Sequence, residues 1–284
     1  MKNIWLVVPC YNEEEVLPET SRQLKAVMQS MIDSGKISPE SKIAFVNDGS
    51  KDNTWNIISA LCTDDGIFAG INLSRNKGHQ NALLAGLMTA KKYADAVISL
   101  DADLQDDVDA IEKMVDNFIA GDDIVYGVRS SRKKDTFFKR FTAEGFYKFM
   151  AAMGVEIVFN HADYRLMSRR ALDALSEFDE VNLFLRGIVP QIGFRTSTVE
   201  YERKERLAGE SKYPLKKMLS FAFEGITSFS VRPLKIATTL GIFSLLVCLA
   251  MLIYCIVSKA TGHAVAGWAS IGASVWALGG LQLF

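Results

Sequence analysis

The stretch "AVISLDADLQDD", residues 96–107, decides the fold of this 284-residue chain. Ala96, Val97, Ile98 and Leu100 make a short apolar run that reads as a buried strand, and Asp101, Asp103, Asp106 and Asp107 follow it at once. Working outward, similar runs recur at 3–8, 42–46, 67–73 and 123–128. Segments of helical composition separate them at 14–34, 54–61, 79–93 and 108–120. That alternation predicts an α/β domain with a mainly parallel central sheet and helices on both faces. In such sheets ligands gather beyond the carboxyl ends of the strands. The polar stretches fall at those ends: "PCYNEEE" (9–15), "NDGSKDNT" (47–54), "SRNKGHQN" (74–81), "DADLQDD" (101–107) and "GVRSSR" (127–132).

The carboxylates at the fourth run need a partner. Two unit charges about 5 Å apart repel by roughly 3 kcal/mol at an effective dielectric near 20. A divalent cation reverses that sign, and Asp and Gln oxygens suit Mg²⁺ or Mn²⁺. Asp101, Asp103 and Gln105 alternate along the strand exit, which aims them to one side if the chain stays extended. The plainer reading is a solvated acidic loop, with Asp106 and Asp107 capping the helix that follows.

Net charge is −1, which excludes a general case for nucleic-acid binding. The four cysteines, Cys10, Cys62, Cys248 and Cys255, show no metal spacing and no CxxC, and fit a reducing compartment. Residues 236–257 carry no charge and match the ~20 residues a helix needs to cross a bilayer. Residues 264–284 are also uncharged, so two spans joined by a tight loop are expected. The N-terminal "IWLVVP" is too short for a signal peptide and soon meets Glu13, Glu14 and Glu15. Arg232 and Lys235 before the first span place the large domain in the cytosol, at the inner (cytoplasmic) membrane of a cell. The expected organisation is a catalytic domain over 1–213, an amphipathic juxtamembrane segment over 214–235 and a membrane domain over 236–284. A second segment of helical amphipathic pattern covers 133–154. With no basic tail after the second apolar run, more chain is expected beyond Phe284.

An apolar strand before "PCYNEEE", another before "NDGS" and a third before "DAD" together make this chain similar to the family 2 glycosyltransferases, whose nucleotide-sugar-binding domain has the GT-A fold. "SRNKGHQNALLAG", "DADLQD", "ADYRLMSRRAL" and "RLAGESKYPLKKML", followed by apolar spans, resemble the polyprenyl-phosphate glycosyltransferases within it. That group includes bactoprenol glucosyltransferases and dolichol-phosphate mannose synthases.

The resemblance implies roles by position. Pro9, Tyr11, Asn12 and Glu13 match the element lining the nucleotide pocket, and Asp48 the aspartate that hydrogen-bonds the base, with Asn47 where the family often has a second acid. Asp101, Ala102 and Asp103 match the DxD element at metal and diphosphate, with Gln105 a further metal ligand. Asp163 matches an acid near the transferred sugar, followed by Arg165. Arg129, Arg206, Ser211 and Lys212 match positions around the lipid phosphate and the departing diphosphate.

The implied reaction is inverting transfer of one hexose, glucose from UDP-glucose before other donors, to undecaprenyl or another polyprenyl phosphate. A metal with Arg and Lys would stabilise the leaving diphosphate. A phosphate acceptor is already nucleophilic at neutral pH, so Asp163 is left open between orienting sugar hydroxyls, steadying positive charge at the anomeric carbon, and removing a proton. His79 is open between a helix cap and an anion-facing residue. The resemblance also leaves open a homo-oligomer formed through the spans. Rivals are transfer from GDP-mannose or a modified UDP-sugar, and a non-catalytic membrane-bound nucleotide-sugar sensor. A processive polymer synthase would need a larger bundle of spans. "QIGFR" lacks the Trp of the polymerases' QxxRW element.

Overall fold

The computed structural model describes residues 1–129, 161–178, 185–202, 232–262 and 267–283, which fall into two compact units. The larger holds a seven-stranded sheet ordered β3-β2-β1-β4-β6-β5-β7. Its strands are β1 (Ile4–Cys10), β2 (Lys42–Asn47), β3 (Phe68–Asn72), β4 (Ala96–Ser99), β5 (Ile124–Arg129), β6 (His161–Ser168) and β7 (Thr196–Tyr201). All neighbours are parallel except β6, which runs antiparallel to both β4 and β5. The first five strands lie where the apolar runs put them. β6 and β7 were not expected as strands. Asp163 and Arg165 interrupt the apolar pattern of β6, and β7 at the sheet edge buries only alternate residues near its end.

β1 is buried along its whole length, as a central strand with cover on both faces must be. Pro9 is tolerated there because β4 pairs with β1 only as far as Val7↔Ser99, so the missing N–H lies past the end of that ladder. Helices α1 (Leu17–Asp33), α2 (Thr54–Asp64) and α4 (Ala110–Ile119) supply Leu24, Met28, Ile58, Ile111 and Met114 to one core with Leu6, Phe45 and Ile98. The opposite face is covered by α3 (His79–Ala90), whose Gly86 lies so close that a Cβ would stand 2.4 Å from Val7 and 2.8 Å from Val46. Helix α5 (Arg169–Leu175) joins α3 through Lys91, which reaches Asp173 and Ser176. Strand order reverses between β1 and β4, which opens a crevice at their carboxyl ends.

The second unit contains α7 (Arg232–Ala260) and α8 (Trp268–Leu283). Residues Leu234–Ser258 of α7 have mean hydropathy 2.8 and are long and apolar enough to cross a membrane. Leu246, Ile253 and Ile256 are exposed on it, as expected of a helix whose apolar side chains face lipid rather than protein. The expectation of two spans is met once among the described residues. α8 has 16 residues, about 24 Å at 1.5 Å per residue, short of a ~30 Å hydrocarbon core. It packs on α7, with Ser244 donating to the Trp276 carbonyl at 2.9 Å and Gly279 at that contact. Residues 214–231 of the juxtamembrane segment, the basic segment over 133–154, and Arg206, Ser211 and Lys212 lie outside the described residues.

Candidate active site

Three loops at the crevice are tied to one another. After β1, Asn12 adopts φ 54, a left-handed conformation that Asn tolerates. Its N–H donates to Ser50 (3.0 Å) while its side-chain oxygen accepts the Lys51 N–H (2.9 Å). Glu13 N–H donates to Thr54 at 2.9 Å, and Glu14 accepts from the Asn53 N–H at 2.9 Å. These bonds hold the acidic turn out of the helix, which explains why α1 starts at Leu17 rather than at Glu14. An open cleft of about 430 Å³ beside this turn is lined by Asn12, Glu13, Glu14, Lys51 and Asp52. Tyr11 is exposed and Pro9 is buried in β1.

Asp48, at the end of β2, is buried and accepts the backbone N–H groups of Lys77 (2.7 Å) and Gly78 (2.9 Å). It therefore anchors the loop that starts α3. Gly49 beside it has φ +64, and a Cβ there would lie 2.5 Å from the Asn76 nitrogen. Asn47 bonds to Asn72 and accepts from Ser50.

The fourth loop carries Asp101, Ala102 and Asp103. Thr20 of α1 donates to the Ala102 carbonyl at 2.7 Å, and Asp103 accepts the Gln105 N–H at 3.2 Å. Leu104 between them is buried with φ 53, a left-handed conformation that costs a branched residue on the order of 1–2 kcal/mol. Strain of this kind collects at functional loops. Desolvation in its recess raises the Asp101 carboxyl to about 6; His79 opposes that rise, while Asp163, Asp106 and Asp103 add to it. A divalent cation would offset such crowding. Among the described residues no three His, Cys, Asp or Glu side chains are arranged to hold a metal, and Gln105 is buried. Asp101 and Asp103 are the hard oxygens at this strand exit, and a Mg²⁺ held by so few carboxylates would need water and substrate phosphates to complete its shell.

Asp163 is the best-held side chain of the site. One carboxylate oxygen accepts from Arg165 Nη2 (2.8 Å) and Arg186 Nε (3.3 Å), the other from Arg186 Nη2 (3.1 Å) and Gln80 (3.2 Å). His79 Nε2 lies 3.5 Å from Asp163 and 3.6 Å from Asp101, so it bridges two acids that are 62 residues apart in the chain. Burial alone would raise the Asp163 pKa, but His79, Arg186 and Arg165 hold it well below the ordinary carboxylate range. The same pair of acids lifts the His79 imidazole above its usual value, against the cost of its burial. Arg165, which follows Asp163 in the matched element, is 1% exposed and reaches Asp163 and the Leu185 carbonyl (3.4 Å). It supports Asp163 from within the core. Burial lowers its pKa, the mark of a guanidinium held away from water.

Sequence reading missed Gln80 and Arg186. Gln80 links Asp163 to the Leu185 N–H at the start of the short helix α6 (Leu185–Ile188). Arg186 is a lone cation in the apolar run "LFLRGIV", an irregularity that signals a buried charge partner. His79 is neither a cap nor a bystander, since Gly78 is the N-cap and the ring faces the acids. Asp106, expected at the start of α4, instead accepts from Tyr201, and α4 has Asp109 as its N-cap with no side-chain cap bond. Arg129 ends β5 beside the same group, with Nη2 3.6 Å from Asp106.

A mixed α/β sheet with the DxD sequence at its crevice and an ion-paired acid beside it is the build expected of a glycosyltransferase. Residues 5–176 match the family described as Glycosyl transferase family 2, and the chain belongs to it. It is 54% identical over 278 residues to the uncharacterized glycosyltransferase YkoT of Bacillus subtilis (strain 168), covering 98% of this chain and 82% of that one. It is 40% identical over 283 residues to the bactoprenol glucosyl transferase of Shigella phage SfV, covering 99% and 89%. Among solved structures, mannosyl-3-phosphoglycerate synthase from Rubrobacter xylanophilus superposes with TM-score 0.51 at 13% identity, covering 81% and 74%, a likeness of fold.

Proposed function

We propose that this chain transfers a glucosyl unit from UDP-glucose to a polyprenyl phosphate at the cytoplasmic face of a membrane, with inversion at the anomeric carbon. The observation that carries the reading is the carboxylate group at the β4 exit: Asp101, raised to about 6, stands among Asp103, Asp106 and Asp163 in a crevice where the sheet reverses. The relative named bactoprenol glucosyl transferase, matched over 99% of this chain, supports the acceptor class. The 25-residue apolar segment of α7 supports placement at a membrane.

Mg²⁺ or Mn²⁺, when bound by Asp101, Asp103 and Gln105, would supply charge to the leaving diphosphate. The rest falls to the chain's own groups. Asp163 has both oxygens engaged by four N–H donors and stays ionised, so it positions Arg186 and His79 and does not remove a proton. A lipid phosphate needs no base at neutral pH, which fits a site whose acid is occupied in this way. Arg129 supplies cationic charge from the β5 end.

The test is a panel of UDP- and GDP-sugars offered with short polyprenyl phosphates, with and without chelator. UDP-glucose should give a chloroform-soluble, acid-labile glucolipid, lost with chelator and in Asp103→Ala. A mannolipid from GDP-mannose would reassign the donor. No product from any donor, with nucleotide-sugar binding retained, would make the chain a sensor.

A further inference from the structure

Arg129 sits in a built setting that its own strand does not supply. β5 and β7 are parallel and in register at Arg129↔Tyr201, which sets the two side chains next to each other at the sheet's carboxyl edge. Tyr201 is 3% exposed, its ring meets Tyr164 edge-on at 5.2 Å, and its hydroxyl donates to the buried carboxylate of Asp106. Arg129 Nε donates to the same hydroxyl oxygen at 3.4 Å, and Nη2 lies 3.6 Å from Asp106. Among the described residues Nη1 makes no hydrogen bond. The side chain is 31% exposed, on the edge that carries Asp101 and Asp103. One flank of the guanidinium is thus held by a phenol from β7 and a carboxylate from the loop after β4, the side chain stays partly exposed, and it lies close enough to feel the charge of Asp101.

Resting on the proposed function, we infer that Tyr201 and Asp106 are positioning residues that aim Arg129 at a phosphate group of a substrate. Asp106 is one residue past Gln105 and in the acidic run, yet it serves the cation on β5. A planar guanidinium pre-set in this way loses less rotamer freedom per bond to phosphate than a free one. The phosphate is either the acceptor lipid's or the donor's diphosphate, and kinetics separate the two.

The experiment uses the full chain in detergent or native membrane, with UDP-glucose and a short polyprenyl phosphate varied in turn. Tyr201→Phe keeps the ring contact with Tyr164 and removes only the hydroxyl. It should raise KM for one substrate three- to tenfold with kcat within twofold. A rise for the lipid assigns Arg129 to the acceptor phosphate, and a rise for UDP-glucose assigns it to the diphosphate. Arg129→Ala should raise the same KM further, and Tyr201→Phe should add less than about 1.5-fold in that background. Equal factors in both backgrounds, or a lowered melting temperature with both KM values unchanged, would overturn the positioning role. Should Tyr201→Phe fail to fold, Asp106→Asn is read by the same cycle. A wild-type chain that makes no glycolipid refutes the proposed function alone. The inference is then read from binding of inorganic phosphate and pyrophosphate, one of which must weaken at least threefold in Tyr201→Phe.

Discussion

Replacing Asp163 by Asn changes one oxygen for an amide and asks what the carboxylate does. In the wild type its two oxygens face Arg165, Arg186 and Gln80 at 2.8–3.3 Å, with His79 at 3.5 Å. Asparagine removes the charge and turns a donor toward donors, leaving Arg165 at 1% exposure without its carboxylate. Breaking a buried pair from one side costs about 3–5 kcal/mol. At about 3 °C per kcal/mol for a domain of this size, the melting temperature should fall by roughly 9–15 °C at pH 7. The pH dependence has a definite sign. A carboxyl held below its unfolded value of about 3.9 contributes stability that is fully present above that pH and lost as pH falls through the folded value. Thermal unfolding followed by near-UV circular dichroism should therefore show wild type and Asp163→Asn far apart at pH 7 and converging below about pH 4. Adding Arg165→Met should recover part of the loss, since a site with neither charge has nothing left uncompensated. Equal stability of wild type and Asp163→Asn at pH 7 would refute the ion-pair account. A kcat limb titrating with Asp163 near neutrality would refute its positioning role.

Three further outcomes are expected. Gly86→Ala puts a methyl 2.4 Å from Val7 and should cost about 1–3 kcal/mol in thermal unfolding, with α3 displaced from β1 and β2. Thr20→Val leaves the Ala102 carbonyl without its 2.7 Å donor; it should cost about 1–3 kcal/mol and raise the Mg²⁺ concentration needed for half-maximal turnover, while KM for the lipid stays constant. Burial pushes the Cys10 thiol far up, so an alkylating reagent at pH 8 should leave Cys10 unmodified in the native chain and label it only after unfolding, as peptide mass spectrometry would read.

The sequence by itself determined the strands that build the crevice. Apolar runs without alternation admit one reading when turn residues and helical segments separate them, so β1 to β5 and the polar stretches beyond them were legible within a residue or two. It also exposed the 236–257 apolar run, which falls within the 234–258 segment of α7, because hydropathy over that length is local information. Partnership across the chain was hidden. β6 carries Asp163 and Arg165 in its middle, which spoils a strand pattern unless Gln80, His79 and Arg186 are known to surround them. Asp106 looked like a helix cap because its partners Tyr201 and Arg129 are 95 and 23 residues away. Only the tertiary structure decided which acid faces a cation and which faces the crevice. The physical reason is that a buried charge is stabilised by groups close in space, and sequence distance carries no record of them.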